Sequence, residues 1–117
     1  MRYNRRMKDT EIRIIVKEPG CAPVERYIDI SDGDGVAVIT SIVGGYFEMH
    51  CIFEEDPTLA MFVNEDGRRL GLAPNFNSPV GVIVGTALFF RRDDPDMAGI
   101  TAGQMVTLTR HFELNAR

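Results

Sequence analysis

A period-two alternation of side chains is the feature that most limits what this chain can become. In Thr10 to Lys17, Ile12, Ile14 and Val16 alternate with Arg13, Ile15 and Lys17. In Val24 to Ile30, Val24, Arg26, Ile28 and Ile30 share one side, and Glu25, Tyr27 and Asp29 share the other. In Tyr46 to Phe53, Phe47, Met49, Cys51 and Phe53 form an apolar face opposite Tyr46, Glu48, His50 and Ile52. Successive side chains of a strand point to opposite faces of its sheet, whereas a helix would scatter these residues around its girth. Each segment therefore reads as a strand with one buried face. Pro19-Gly20 between the first two makes them a hairpin. The third strand puts Cys51 in the core and points His50 away from it.

Further along, Leu59 to Val63 is expected as a strand. Asn64-Glu65-Asp66-Gly67 follows it, and the Asp-Gly pair suits a type I′ turn, which needs positive φ at both central positions. Arg68 to Leu72 should return from that turn. Ala73 to Pro79 reads as loop. Val80 to Phe90 is apolar on both faces, as in a central strand, and Arg91 to Gly99 reads as a charged, mobile loop.

Two segments depart from this pattern. Val36 to Val43 is β-branched, which favours a strand. However, Ser31, Asp32 and Asp34 offer N-caps, Val36, Ile39 and Val43 share a helical face, and Gly44-Gly45 tolerates a left-handed C-terminus. A short helix is expected there. In Thr101 to Phe112, Thr101 and Gln104 form a capping box, Ile100 and Met105 a hydrophobic staple, and Met105, Leu108 and Phe112 an apolar stripe. The expected fold is α+β, a single layered domain over residues 10–117. An antiparallel-rich sheet of about five to seven strands packs on the short middle helix and a C-terminal helix.

The 117 residues suffice for one core but not two. Arg2, Arg5, Arg6 and Lys8 make residues 1–9 a basic tail, expected to be flexible. The net charge is −4, so the body is more acidic than the whole. An acidic body argues against binding duplex nucleic acid, whose affinity comes from Lys and Arg on phosphates. No apolar run reaches the ~18–20 residues of a membrane span, and no apolar run backs the charged start as a secretory leader would require. Cys21 and Cys51 are expected as reduced thiols of a cytoplasmic protein, with Cys51 made inert by burial; a Cys21–Cys51 disulfide is the lesser alternative and needs the two Cα atoms within about 7 Å.

Most catalytic signatures are missing. There is no Walker loop, and Gly33-Asp34-Gly35 does not follow a strand in a βαβ unit. Asp29, Asp32 and Asp34 lack EF-hand spacing. His50 and Cys51 are neighbours on a strand and point apart, which disfavours a closed four-ligand zinc site, and neither a metal nor a cofactor is expected. Glu48 and His50 share a strand face with Tyr46 and could exchange a proton. His111, late on the last helix, sits where the dipole favours a cation.

The order of several short motifs carries a resemblance. Glu18-Pro19-Gly20 is followed by Val43-Gly44-Gly45-Tyr46-Phe47-Glu48. Asn64-Glu65-x-Gly67 comes next, then Leu70-x-Leu72-x-Pro74-Asn75 and finally Val84-Gly85-Thr86. Over residues 12–112 the chain resembles an uncharacterised family of small bacteriophage and plasmid proteins defined only as a domain of unknown function. That resemblance implies a mobile-element origin and action in a bacterial cytoplasm, and carries over no activity. Physically, Gly44 and Gly45 permit close backbone approach, and Asn75 offers an amide to a loop or a ligand. Gly44, Gly45, Tyr46, Glu48, His50, Asn64, Glu65, Arg68, Asn75, Arg91 and Arg92 are the candidate contacts with a partner or ligand.

Three functions are expected, in descending order. The first is a non-enzymatic accessory protein that binds a host protein, as anti-CRISPR-like inhibitors of host defence do. The second is a module that sequesters a small anionic ligand or nucleotide on Arg68, Arg69, Arg91 and Arg92. The last is a small hydrolase built on Glu48, His50 and Glu65. Self-association is also expected, because Phe76, Phe89 and Phe90 crowd one small core.

Overall fold

A computed structural model describes residues 9–31 and 35–114. Residues 1–8 of the basic tail and the candidate caps Asp32 and Asp34 lie outside them. The elements run β1 (Glu11–Lys17), β2 (Val24–Asp29), α1 (Val36–Val43), β3 (Phe47–His50), β4 (Leu59–Asn64), β5 (Pro74–Ser78), β6 (Gly81–Val84), β7 (Ala87–Asp93), β8 (Asp96–Ala98) and α2 (Ala102–Leu114). One six-stranded antiparallel sheet has the order β2-β1-β7-β4-β3, with β8 paired to β7, and β5 and β6 form a separate two-stranded ribbon. The fold is α+β.

Local chemistry explains the first hairpin. In Glu18-Pro19-Gly20-Cys21, proline presets φ at the second position and Gly20 takes φ +75° at the third. The Cys21 N–H then donates to the Glu18 carbonyl at 3.1 Å, a turn of the type II pattern. Glu11 pairs with Asp29 at one end of the ladder and Val16 with Val24 at the other.

The expectation of one buried face fails for β1, and in β2 it holds only toward Ile28 and Ile30. Ile14, Ile15, Val16 and Lys17 are all buried, because β1 is an interior strand covered on both sides. Val24 is exposed instead, because β2 is an edge strand and α1 lies over β3, β4 and β7. Two cores result. On one face Ile15, Leu59, Met61 and Phe89 meet Leu108 and Phe112 of α2. On the other, Ile14, Val16, Leu88 and Phe90 meet Ile39 and Val43 of α1. The phenylalanines divide accordingly. Phe62 lies 4.6 Å from Phe47 and 4.3 Å from Phe90 by ring centroids, while Phe89 lies against Phe53, Phe76 and Phe112. The crowding expected of Phe76, Phe89 and Phe90 is relieved because Phe89 and Phe90, being adjacent on β7, serve opposite cores.

Several boundaries differ from the sequence reading. The Tyr46–Phe53 pattern is a strand only through His50, so the alternation does not reach Cys51, which is exposed, as is Cys21. Both are free thiols. Val80 to Phe90 is two strands, parted at Gly85, whose φ is +76°. Ala73 to Pro79 contains β5, with Pro74 tolerated as its first residue. Arg68 to Leu72 stays a turn rather than a strand. Residues Arg91 to Gly99 continue β7 and form β8.

Both helices form where expected. Gly44 ends α1 with φ +82° and donates its N–H to the Thr40 carbonyl, while Gly35 starts it with no side-chain cap. In α2, the Gln104 N–H donates to Thr101 Oγ1 at 3.1 Å, and the Thr101 N–H donates to Gln104 Oε1 at 3.1 Å, completing the capping box.

Candidate functional site

Where β4 ends, the chain makes a compact turn rather than a hairpin. The buried Asn64 fixes it: its Oδ1 accepts from the Asp66 N–H at 2.8 Å, and its Nδ2 donates to the Val43 carbonyl at 3.3 Å. The Leu70 N–H then donates to the Asp66 carbonyl and the Leu72 N–H to that of Gly67. A Cβ on Gly67 would come within 2.8 Å of Val84, so the turn is pressed onto β6. Arg68 reaches across and donates through Nη2 to the Val82 carbonyl at 2.8 Å.

This packing leaves a cleft of about 160 Å³ between the end of the β3–β4 pair and the β5–β6 ribbon. Glu48, His50, Asn64, Glu65 and Arg68 line one side, and Val80, Val82, Ile83 and Val84 line the other. The His50 Nε2 and Glu48 Oε1 lie 3.2 Å apart. Tyr46, which is 77% exposed, stands beside Glu65, whose N–H donates to the Tyr46 carbonyl at 2.9 Å. Leu70, Val80 and Val82 are also exposed around this region.

Sequence reasoning thus selected five residues that share one cleft. Gly44 and Gly45 support it indirectly. Both donate to the Thr40 carbonyl, and a Cβ on Gly45 would lie 3.0 Å from Asn64 Nδ2. Asn75 is elsewhere, donating to the carbonyls of Lys17 and Gly85 and accepting from Lys17 Nζ at 2.9 Å. Burial lowers the pKa of Lys17, and its Nζ lies 5.6 Å from the centre of the Phe112 ring.

The four arginines do not form one anion site. Arg91 donates to the Gly99 carbonyl at 3.0 Å, Arg92 pairs with Asp94 at 2.6 Å, and Arg69 pairs with Asp66 at 3.3 Å. Only Arg68 lines the cleft. The valines of the far wall were missed, being read as part of one long central strand. Gly81 and Gly85, both at positive φ, were the signal that could have shown the ribbon. His111 lies in the last turn of α2, as its place in the sequence implied. Its ring packs 5.2 Å from that of Phe53, and burial lowers its pKa against the opposing charge of Glu55.

A second cavity, about 180 Å³, lies on the opposite face of the sheet, where Val36, Phe47, Met49, Phe62 and Phe90 meet the β7–β8 hairpin. β3 therefore separates two concavities: Glu48 and His50 enter the polar one, Phe47 and Met49 the apolar one. Among the described residues no cluster of three or more His, Cys, Asp or Glu could hold a metal ion, and no helix is long and apolar enough to cross a membrane.

A small antiparallel α+β protein with an open, mixed polar and apolar cleft is the class that these features define. Its residues 12–113 match the model of DUF3846, a domain of unknown function, and the chain belongs to that family. No curated protein and no solved structure matches it.

Proposed function

We propose that the protein is a non-enzymatic accessory protein of bacteriophage or plasmid origin. It binds a host protein in the bacterial cytoplasm, as an inhibitor of host defence would. The observation that carries this reading is the make-up of the cleft and its surroundings. Exposed Tyr46, Val80 and Val82 stand around Glu48, Glu65 and Arg68. Aromatic and arginine side chains supply most hot spots in protein interfaces, and exposed apolar groups beside polar ones mark such surfaces. The acidic net charge suits a basic partner surface and speeds encounter with it.

The nucleotide reading has less support. The cleft is smaller than the ~300–1,000 Å³ of small-molecule sites, and three of the four arginines are engaged away from it. The hydrolase reading gains a shared location for Glu48, His50 and Glu65, but no serine, threonine or cysteine lines the cleft as a nucleophile.

Affinity capture from bacterial lysate tests the proposal. Wild type should retain one host protein stoichiometrically, and a Tyr46→Ala/Arg68→Glu double variant should lose it. Empty wild-type capture, or equal retention by the variant, would overturn the reading.

A further inference from the structure

The five-strand path ends in two edges, β2 and β3, and they differ. β2 carries Glu25, Arg26 and Asp29, charged side chains of the kind that discourage strand addition. β3 exposes Met49 on one face and the Glu48–His50 pair on the other.

The phase of the β3–β4 ladder fixes which backbone groups face outward. The Glu65 N–H donates to the Tyr46 carbonyl, and Phe47 lies opposite Asn64. Hydrogen-bonded and non-hydrogen-bonded pairs alternate along an antiparallel ladder. The backbone groups of Glu48 and His50 therefore face β4, and those of Phe47 and Met49 face away. Among the described residues no strand pairs with that outer edge.

We propose that this edge joins a second copy of the chain, with β3 pairing antiparallel to β3 about a two-fold axis at Met49. Charge selects this register. An axis at Glu48 would set the two Glu48 carboxylates opposite each other, and like charges so placed are destabilising. An axis at His50 would set the imidazoles together and leave Glu48 opposite Ile52, beyond the strand. The axis at Met49 places Glu48 opposite His50 of the second copy, twice, while the two Met49 residues exchange both backbone hydrogen bonds. Each polar cleft then borders an acid and an imidazole of the other copy, and the apolar cavities come together around Met49. The same surface patch serves both subunits, as a two-fold interface requires.

Sedimentation and directed cross-linking of the full chain test the pairing. Wild type should sediment as a dimer. Glu48→Lys should weaken it by roughly tenfold, from the loss of two attractive pairs, and Glu48→Lys/His50→Glu should restore it. In a Cys21→Ser/Cys51→Ser background, Met49→Cys should form an intersubunit disulfide, since paired Cα atoms about 5.5 Å apart suit one. Tyr46→Cys should not, because six residues of offset separate its two copies by about 20 Å. A wild-type monomer at millimolar concentration, no rescue by the charge swap, or equal cross-linking at both positions would overturn the proposal. The pairing does not depend on the host-protein reading, because an empty lysate capture leaves the sedimentation result unchanged.

Discussion

Gln104 connects three parts of the chain through one buried carboxamide. Its Oε1 caps Thr101, and its Nε2 donates to Asp56 Oδ2 at 2.9 Å and to Thr58 Oγ1 at 3.0 Å. Gln104→Ala should cost about 0.5–1.5 kcal/mol, since it removes hydrogen bonds to partners that water can still reach, as read from urea denaturation. Bonds from Thr58 and then Gln104 hold the Asp56 carboxyl below its ordinary value of 3.8. The stabilisation is therefore complete above that pH and fades as pH falls from 3.8 through the lowered folded value; Gln104→Ala should shrink this acid loss. His111 is also depressed, from 6.5, by burial, with the Glu55 charge opposing. The unfolded chain takes up the proton first, so stability declines as pH drops below 6.5. An NMR titration of the His111 ring should show a midpoint below 6.5. The capping half of Gln104 was legible because Thr101 is three residues away. The Asp56 half was not, because those partners lie 48 residues apart and meet only in the fold. For His111 the helix position was readable, but the ring of Phe53 against it was not.

Gly85 decides an element boundary. It holds φ +76°, its N–H donates to the Ala73 carbonyl at 2.8 Å, and an added Cβ would stand 2.8 Å from Leu72 Cδ1. Gly85→Ala should cost about 1–2 kcal/mol for the left-handed backbone alone, plus the displacement of Leu72, and thermal denaturation would show it. Apolar periodicity could not reveal this break, because valines and isoleucines read alike in a continuous strand and in two strands joined by a kink. The same blindness carried the Phe47–Phe53 alternation past His50 and buried Cys51 on paper. Conversely, α1 was readable despite β-branched residues, because Gly44 marks its end and Ile39 and Val43 share its buried face. The cleft was half legible. Its β3 and β4 residues follow from strand faces, but the opposing valines needed the ribbon to be recognised first.

At the scale of the whole molecule, β7 carries the structure. Phe89 is fully buried in one core, and Leu88 and Phe90 are buried in the other. Phe89→Ala should cost about 3–5 kcal/mol, a large share of the ~5–15 kcal/mol that holds a domain folded, and guanidinium denaturation would measure it. The fold class and the β1–β2 hairpin were legible because strand pattern and turn chemistry are local. The seat of β7 between β1 and β4 was not, because Ile15 meets Phe89 across most of the chain. That seat sets the order of assembly. During synthesis the β1–β2 hairpin and the β3–β4 pair leave the ribosome first, each with one side still unclosed. They have no shared ladder until β7 arrives to zip them together. Such distant closure makes for slow folding, and the waiting halves expose strand edges that invite aggregation.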